Sequence, residues 1–446
     1  MGTIFPGVPC AIGRDIYAYE PHRALSTRFM EHALRFTIGK VAAKAAGDIP
    51  GLSKSHILDH EMLLPPEAEQ HRIVAEIEKH FTRLDAAVAA LERVRANLKR
   101  YRAAALKAAC EGRLVPTEAE LARREGRTYE PADQLLARIL KERRARWEAD
   151  QLAKMQAKAM VPKDEKWKAK YRQPEKPEPP NGARAAAGWS WAGLEELSEG
   201  VPHALKAGPF GSSLKKSVYV PRGYKIYGQE QVIRGDAFFG DYYIDEARYR
   251  QLESCRVQPA DLLISLVGTA GRVLILPENI APGIINPRLL KATLNRSGVN
   301  PRFIKILLES PGTRQFFKLA AHGGTMEILN LSILKQIPLA LPPLPEQHRI
   351  VAEVERRLSV IDELEAVVDA NLKRAERLRQ AILKRAFEGK LVPQDPNDEP
   401  ASVLLERIRA ERALATSGNS GGRGSRRAPT RRNSTRAAPA LRHGHQ

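Results

Sequence analysis

Cysteine is nearly absent: Cys10, Cys110 and Cys255 are the only three in 446 residues. They lie far apart without paired spacing, which excludes a disulfide framework and leaves no zinc-ligand pattern. Cys110, just ahead of a helix stop, reads as a small packed side chain. Long apolar runs are missing as well. No stretch approaches the ~18 residues that a membrane-spanning helix needs, and the N-terminus lacks a basic-then-apolar leader pattern. A cytoplasmic protein with no membrane partner is expected. Signatures of chemistry are equally sparse, with no GxxxxGK[ST] loop, no HExxH pair and no glycine-rich turn for a dinucleotide. Asn286-Pro287-Arg288 lacks the second proline and the aromatic of an amino-methyltransferase motif and reads as a turn. Asp164-Glu165-Lys166 lies in linker-like text where nothing would fix a metal. Acid, finally, is in deficit: 72 Lys and Arg face 52 Asp and Glu, giving a net charge of +20. An excess of that size points to an anionic partner, with nucleic acid foremost.

What is present is an internal repeat. The octapeptide EQHRIVAE occurs at 69–76 and again at 346–353, each time shortly after an apolar residue and two prolines, at 64–66 and 341–343. The copies end in EGRLVP (111–116) and EGKLVP (388–393), and the offset is 277 residues at both ends. Between prolines and glycine neither copy contains Pro or Gly apart from Pro345, so each reads as one long helix stopped at Gly112 or Gly389. About 45 residues at 1.5 Å each give a rod of roughly 65–70 Å. Phe81, Leu84, Val88, Leu91, Arg95, Leu98, Arg102 and Ala105 alternate three and four apart, as do Leu358, Ile361, Glu365, Val368, Leu372, Ala375, Arg379 and Ile382. Such spacing is a coiled-coil seam with polar interruptions. Leu84, Val88, Leu91, Leu98, Ile361, Val368, Leu372 and Ile382 are the expected packing and partner-docking positions.

The length allows two or three domains. Residues 1–63 echo only the last part of a longer module at 183–341. The first rod spans 64–116, a helical extension 117–160, and a Pro/Lys/Glu linker 161–182. The second rod spans 342–393, and a helical extension at 394–413 echoes the first, PASVLLERIRAERA at 400–413 repeating PADQLLARILKERR at 131–144. Residues 414–446, rich in arginine, Ser and Gly, read as a disordered basic tail. Within 183–341, short apolar runs at 262–267 and 272–276 between turn residues suit strands, and a helical pattern follows over 301–319. The stretch KAGPFGSSLKKSVYVPRGYKIY (206–227) interleaves cations with aromatics. Cations neutralise phosphates and position a chain on a duplex, while amides, hydroxyls and arginines read base edges. The candidate DNA-binding residues are Lys206, Phe210, Ser212, Ser213, Lys215, Lys216, Tyr224, Gln229, Gln231, Arg248, Thr269 and Arg272.

The paired LPPxxEQxxIVxxI and ILxxAFxGxLV patterns, at 341–350 and 382–392 and again at 64–73 and, more loosely, 106–115, resemble those of the specificity subunits of type I restriction-modification systems. GPFGSSLKK (208–216) and LLISLVGTAG (262–271) look like the opening and the central strand of a target recognition domain. The resemblance covers roughly residues 1–413. It implies an α+β protein in which mixed α/β recognition domains are joined by two long antiparallel coiled-coil helices, the first domain being truncated at its N-terminus. A subunit that is no enzyme by itself is implied, with double-stranded DNA, methyltransferase (modification) subunits and an endonuclease/translocase (restriction) subunit as partners. S-adenosylmethionine, ATP and Mg are then expected on the partner subunits and no cofactor on this chain. A coiled-coil adaptor with a non-specific nucleic-acid-binding module is the alternative reading, and sequence preference over one half-site is the expectation for the chain as it stands.

Overall fold

A computed structural model describes residues 11, 16–43, 54–160, 162, 164–180, 183–209, 213–320 and 329–418. Helices α1 (Thr27–Ala43) and α2 (Lys54–Leu58) precede α3 (Glu67–Cys110), α4 (Glu118–Glu125) and α5 (Ala132–Gln156). A mixed module follows: β1 (Ser190–Gly193), α6 (Leu194–Leu197), β2 (Leu205–Ala207), β3 (Tyr224–Tyr227), α7 (Gln229–Arg234), β4 (Tyr243–Ile244) and α8 (Glu246–Gln251). It continues through β5 (Leu262–Ser265), β6 (Val273–Ile275), β7 (Gly283–Ile285), β8 (Leu289–Ala292), α9 (Pro301–Leu308), α10 (Pro311–Ala320), α11 (Leu331–Lys335) and β9 (Pro338–Leu341). Helices α12 (Leu344–Phe387) and α13 (Ala401–Gly418) end the described chain. Among the described residues no helix is long and apolar enough to cross a membrane.

The long helices α3 and α12 each hold 44 residues, about 66 Å of rod. Gly112 and Gly389 stop them in the left-handed region, at φ 69° and 68°. The amides of Arg113 and Lys390 return to Ala108 O and Arg385 O at 2.9 and 2.8 Å, closing each end without a Cβ penalty.

The chain forms two compact units, one within 1–91 and 369–446 and the other within 92–368. In the first, Phe29, Met30 and Ala33 of α1 pack with Ile73, Ile77 and Phe81 of α3 and with Ile382, Leu383 and Ala386 of α12. Asp85 pairs with Arg379, and Arg72 with Asp398 at 2.6 Å. In the second, Arg102 pairs with Asp362, and with Glu365 at 3.2 Å, while Glu118 holds Arg349 at 2.6 Å. Within each unit, numbers rise along one partner as they fall along the other, so the segments are antiparallel. Arg102 and Arg379 are repeat equivalents, as are Asp85 and Asp362. Two of the seam's polar interruptions, Arg102 and Arg379, therefore make one ion pair twice. None of the seam residues is exposed.

In the second unit β5 is the inner strand of a four-stranded sheet ordered β2-β8-β5-β6 and is wholly buried. A three-stranded sheet β4-β3-β7, with β3 and β7 parallel, packs on a second core to which Leu263, Leu274 and Leu289 of the larger sheet also contribute. β1 and β9 form an antiparallel pair, Ser190 opposite Leu341. This pair docks the module on the start of α12. There the Glu346 carboxylate, wholly buried, accepts the Trp189 indole N–H at 2.8 Å and the Glu118 amide at 2.7 Å.

Three expectations change. The helical pattern over 301–319 is two helices, because Pro311 cannot continue α9 and instead starts α10. Residues 161–182 are not simply a solvated linker. Trp167 stacks on Trp147 of α5 at 6.0 Å and Tyr171 packs against the same ring at 5.4 Å, since two aromatics in lysine-rich text gain more from an apolar face than from water. The N-terminal echo of that module ends without its strand: among the described residues, 61–64, which align with β9, carry no ladder. Of the basic tail, 419–446 lie outside the described residues.

Candidate nucleic-acid interface

Four turns meet at one end of the module's sheets, and backbone hydrogen bonds tie them together. The turn after β2 is held by the Gly208 amide on Leu289 O at 2.8 Å, and the turn after β3 by the Asn286 amide on Tyr227 O at 2.8 Å. The turn after β5 is held by the Leu266 amide on Arg288 O at 2.9 Å. The fourth, between β7 and β8, is an Asx turn in which Asn286 Oδ1 accepts the Arg288 amide at 3.0 Å. Glycine is required where they touch: a Cβ at Gly208 would stand 1.9 Å from Asn286 O, and one at Gly228 2.9 Å from Asn286 Nδ2.

Side chains at this end are presented rather than buried. Gln229 donates its amide N–H to Val267 O and, at 3.3 Å, to Thr269 Oγ1, which fixes the side chain and leaves its carbonyl oxygen available. Thr269, Arg272 and Arg288 are exposed. Lys206 is half-buried in β2, one residue from Ala207 at the same strand end. Ser213 is half-buried, whereas Lys215 and Lys216 are exposed and flank the start of a short 3-10 turn. Phe210 and Ser212 lie outside the described residues. Among the described residues no acidic group pairs with Lys206, Lys215, Lys216, Arg272 or Arg288. By contrast Arg250 of α8 is paired with Glu246, while Arg248 donates to the neutral amide oxygen of Gln251. Cations without acids at convergent turns need a counterion, and a polyanion supplies many at once.

The other expected residues are placed elsewhere. Gln231 is 2% exposed; it accepts the Gly228 amide at 2.9 Å and donates to Phe239 O at 2.8 Å. It caps α7 and is withdrawn from the base-reading set, because both ends of its amide are satisfied internally. Tyr224 begins β3, at the end remote from Gly228, and stacks on Tyr249 at 3.8 Å with Arg256 over that ring. Arg248 shares that remote end. Tyr227 is core: its hydroxyl bonds Ala281 O at 2.7 Å, and burial pushes its pKa to about 12. Behind the sheet, burial pushes Asp261 up and Lys291 down, and Thr293 Oγ1 donates to Asp261 at 2.5 Å, pinning β8 to the turn before β5. Asn286 and Arg288 are the residues that the sequence did not single out as binding groups; their turn was legible, but the convergence of turns was not.

A fixed amide and hydroxyl, Gln229 and Thr269, thus stand with exposed cations at one end of the module's sheets. The model of the type I restriction modification DNA specificity domain matches residues 224–373. The chain is 27% identical over 430 residues to the type I restriction enzyme EcoBI specificity subunit of Escherichia coli, covering 93% of this chain and 78% of that protein. It is 24% identical over 427 residues to the EcoKI specificity subunit of E. coli K12, covering 91% and 76%. A solved structure from work on complex assembly and conformational transition of the type I R-M system shares the fold, with a TM-score of 0.50 at 18% identity over 82% of this chain and 72% of that one. Residues 224–373 are thus a type I restriction modification DNA specificity domain, and over most of its length the chain is similar to the specificity subunits of type I restriction-modification systems. The adaptor reading finds no support among these relatives.

Proposed function

We propose that the chain reads double-stranded DNA through the turns around Gly208, Gly228, Thr269 and Asn286, and brings methyltransferase and endonuclease/translocase subunits to the sequence it reads. The observation that carries this is the set of cations left without acids at turns that also hold Gln229 and Thr269 in place. The helix pair supplies the partner surface. Val360, Leu364 and Val367 on α12 and Val94 and Tyr101 on α3 are 44–56% exposed, at spacings that place each set along one side of its helix, and an apolar stripe of that kind suits a protein partner. The chain itself is assigned no reaction. S-adenosylmethionine, ATP and Mg belong to the partner subunits, and the assembly works in the cytoplasm.

Expression of the full chain with its methyltransferase partner in a host free of DNA modification tests this reading. Modified bases mapped along the host genome should fall at one recurring sequence, and the chain alone should modify nothing. Modification scattered without a common sequence would overturn it.

A further inference from the structure

The turn after β5 is held from outside the sheet as well as from within it. Gly271, at φ 79°, lies against Phe317 of α10, and a Cβ there would stand 2.8 Å from Phe317 Cε2. Two residues on, the Val273 amide of the edge strand β6 donates to the Glu309 carboxylate at 3.0 Å. Glu309 leads directly into α10, whose start is pinned in turn. Ser310 Oγ accepts the Thr313 amide at 3.2 Å, and Thr313 Oγ1 donates to Leu307 O at 2.7 Å. Beyond the helix the chain comes back to the same turn, where the Leu329 amide donates to Leu266 O at 2.8 Å. Arg272, which is exposed, thus sits between two residues held by α10 and the residue before it. These contacts place α10 beside the DNA-reading turns.

What α10 presents there is positive charge. Its sequence, PGTRQFFKLA, contains two cations and no acid. Thr313 and Phe317, four apart, are buried and form the packed side. Arg314 and Lys318 follow them, also four apart, and are exposed, so they share one side of the helix about 6 Å apart along its axis. Among the described residues neither has an acidic partner, and Glu309, the acid next to the helix in sequence, is engaged by the sheet edge. Two surface cations alone would be an ordinary solvated face; the contacts on both sides of Arg272 are what set these two beside the turns. Their side chains also differ in kind from Gln229, whose amide is fixed by two acceptors. A base edge needs a donor held in place, whereas a phosphate accepts any cation within reach.

We propose that α10 is a phosphate clamp, in which Arg314 and Lys318 grip the DNA backbone next to the bases that the turns read. The clamp adds affinity and sets register without choosing sequence. This rests on the reading proposed above and extends it to a helix that touches no base.

The test is anisotropy of two labelled duplexes, one of the modified sequence and one scrambled, titrated with the full chain over a salt series. Arg314→Ala with Lys318→Ala should weaken binding to both duplexes by the same factor. The log–log salt slope should flatten by about 0.9 for each lost contact, roughly 1.8 for the pair. Arg314→Lys with Lys318→Arg keeps both charges and should keep the wild-type slope. An unchanged slope in the Ala variant, an equal flattening in the charge-keeping variant, or weakening confined to the modified sequence would overturn the proposal. The scrambled duplex reports the slope whether or not the turns prefer a sequence, so a failure of base reading and a failure of the clamp are told apart.

Discussion

At the scale of residues, charge partnership separates what binds from what packs. Lys215 and Lys216 are exposed without acids, so replacing both with Ala should weaken DNA binding and lower the log–log salt slope by about 0.9 for each lost phosphate contact. An unchanged slope in a salt titration would show that they point away from DNA. Glu118 makes a different prediction. Burial alone would raise its carboxyl, but Arg127 and Arg349 hold it below the ordinary 4.5. A carboxylate held low contributes stability that is complete above 4.5 and is lost as pH falls through its lowered value. Glu118→Gln should therefore destabilise the chain at neutral pH and flatten the acid limb of its stability curve, as followed by circular dichroism. Glu346, raised by burial, works in the opposite sense, so the comparison with wild type isolates Glu118. The interleaving of cations and aromatics between 206 and 227 was legible in the sequence. Which tyrosines are core was not, because that depends on strand pairing: Tyr227 faces the second core and Tyr224 finds Tyr249, and only folding brings either contact about.

At the scale of elements, both rods were legible because their signals are local: prolines before, glycine after, and a stripe between. Their partners were not, since nothing in a heptad stripe says that Arg102 and Arg379 answer Asp362 and Asp85. The two stops also differ in a way that the sequence hides. A Cβ at Gly112 would stand 2.7 Å from Ala186 Cβ, while one at Gly389 meets nothing closer than Gln394 Nε2 at 3.5 Å. Both substitutions incur the left-handed penalty of about 1 kcal/mol, so Gly112→Ala should lower the unfolding midpoint more than Gly389→Ala. Equal shifts would deny the close packing of Ala186. In the middle of α12, Leu372→Pro removes a helix hydrogen bond and crowds the preceding turn at a cost of ~3 kcal/mol or more. Co-purification with the methyltransferase subunit should be lost, and its retention would move the partner surface off the helices.

At the scale of the whole molecule, the repeat makes the same anchors twice and surrounds them differently, and one copy carries a complete module whose turns converge. Its strands were visible as short apolar runs, yet the site was only partly so. Thr269, Arg272 and Gln229 come from turns separated in sequence, and Arg288 joins them only because β8 lies between β2 and β5. The central claim is that these turns read base sequence. Selection from a random pool of duplex DNA by the full chain, wild type and with Gln229→Ala, Thr269→Ala or Arg288→Ala, tests it directly. The account predicts one enriched sequence for the wild type and relaxed preference at particular base pairs for the variants, each contact worth about 1–3 kcal/mol. An unselected pool, or an identical enriched sequence from all four proteins, would contradict it.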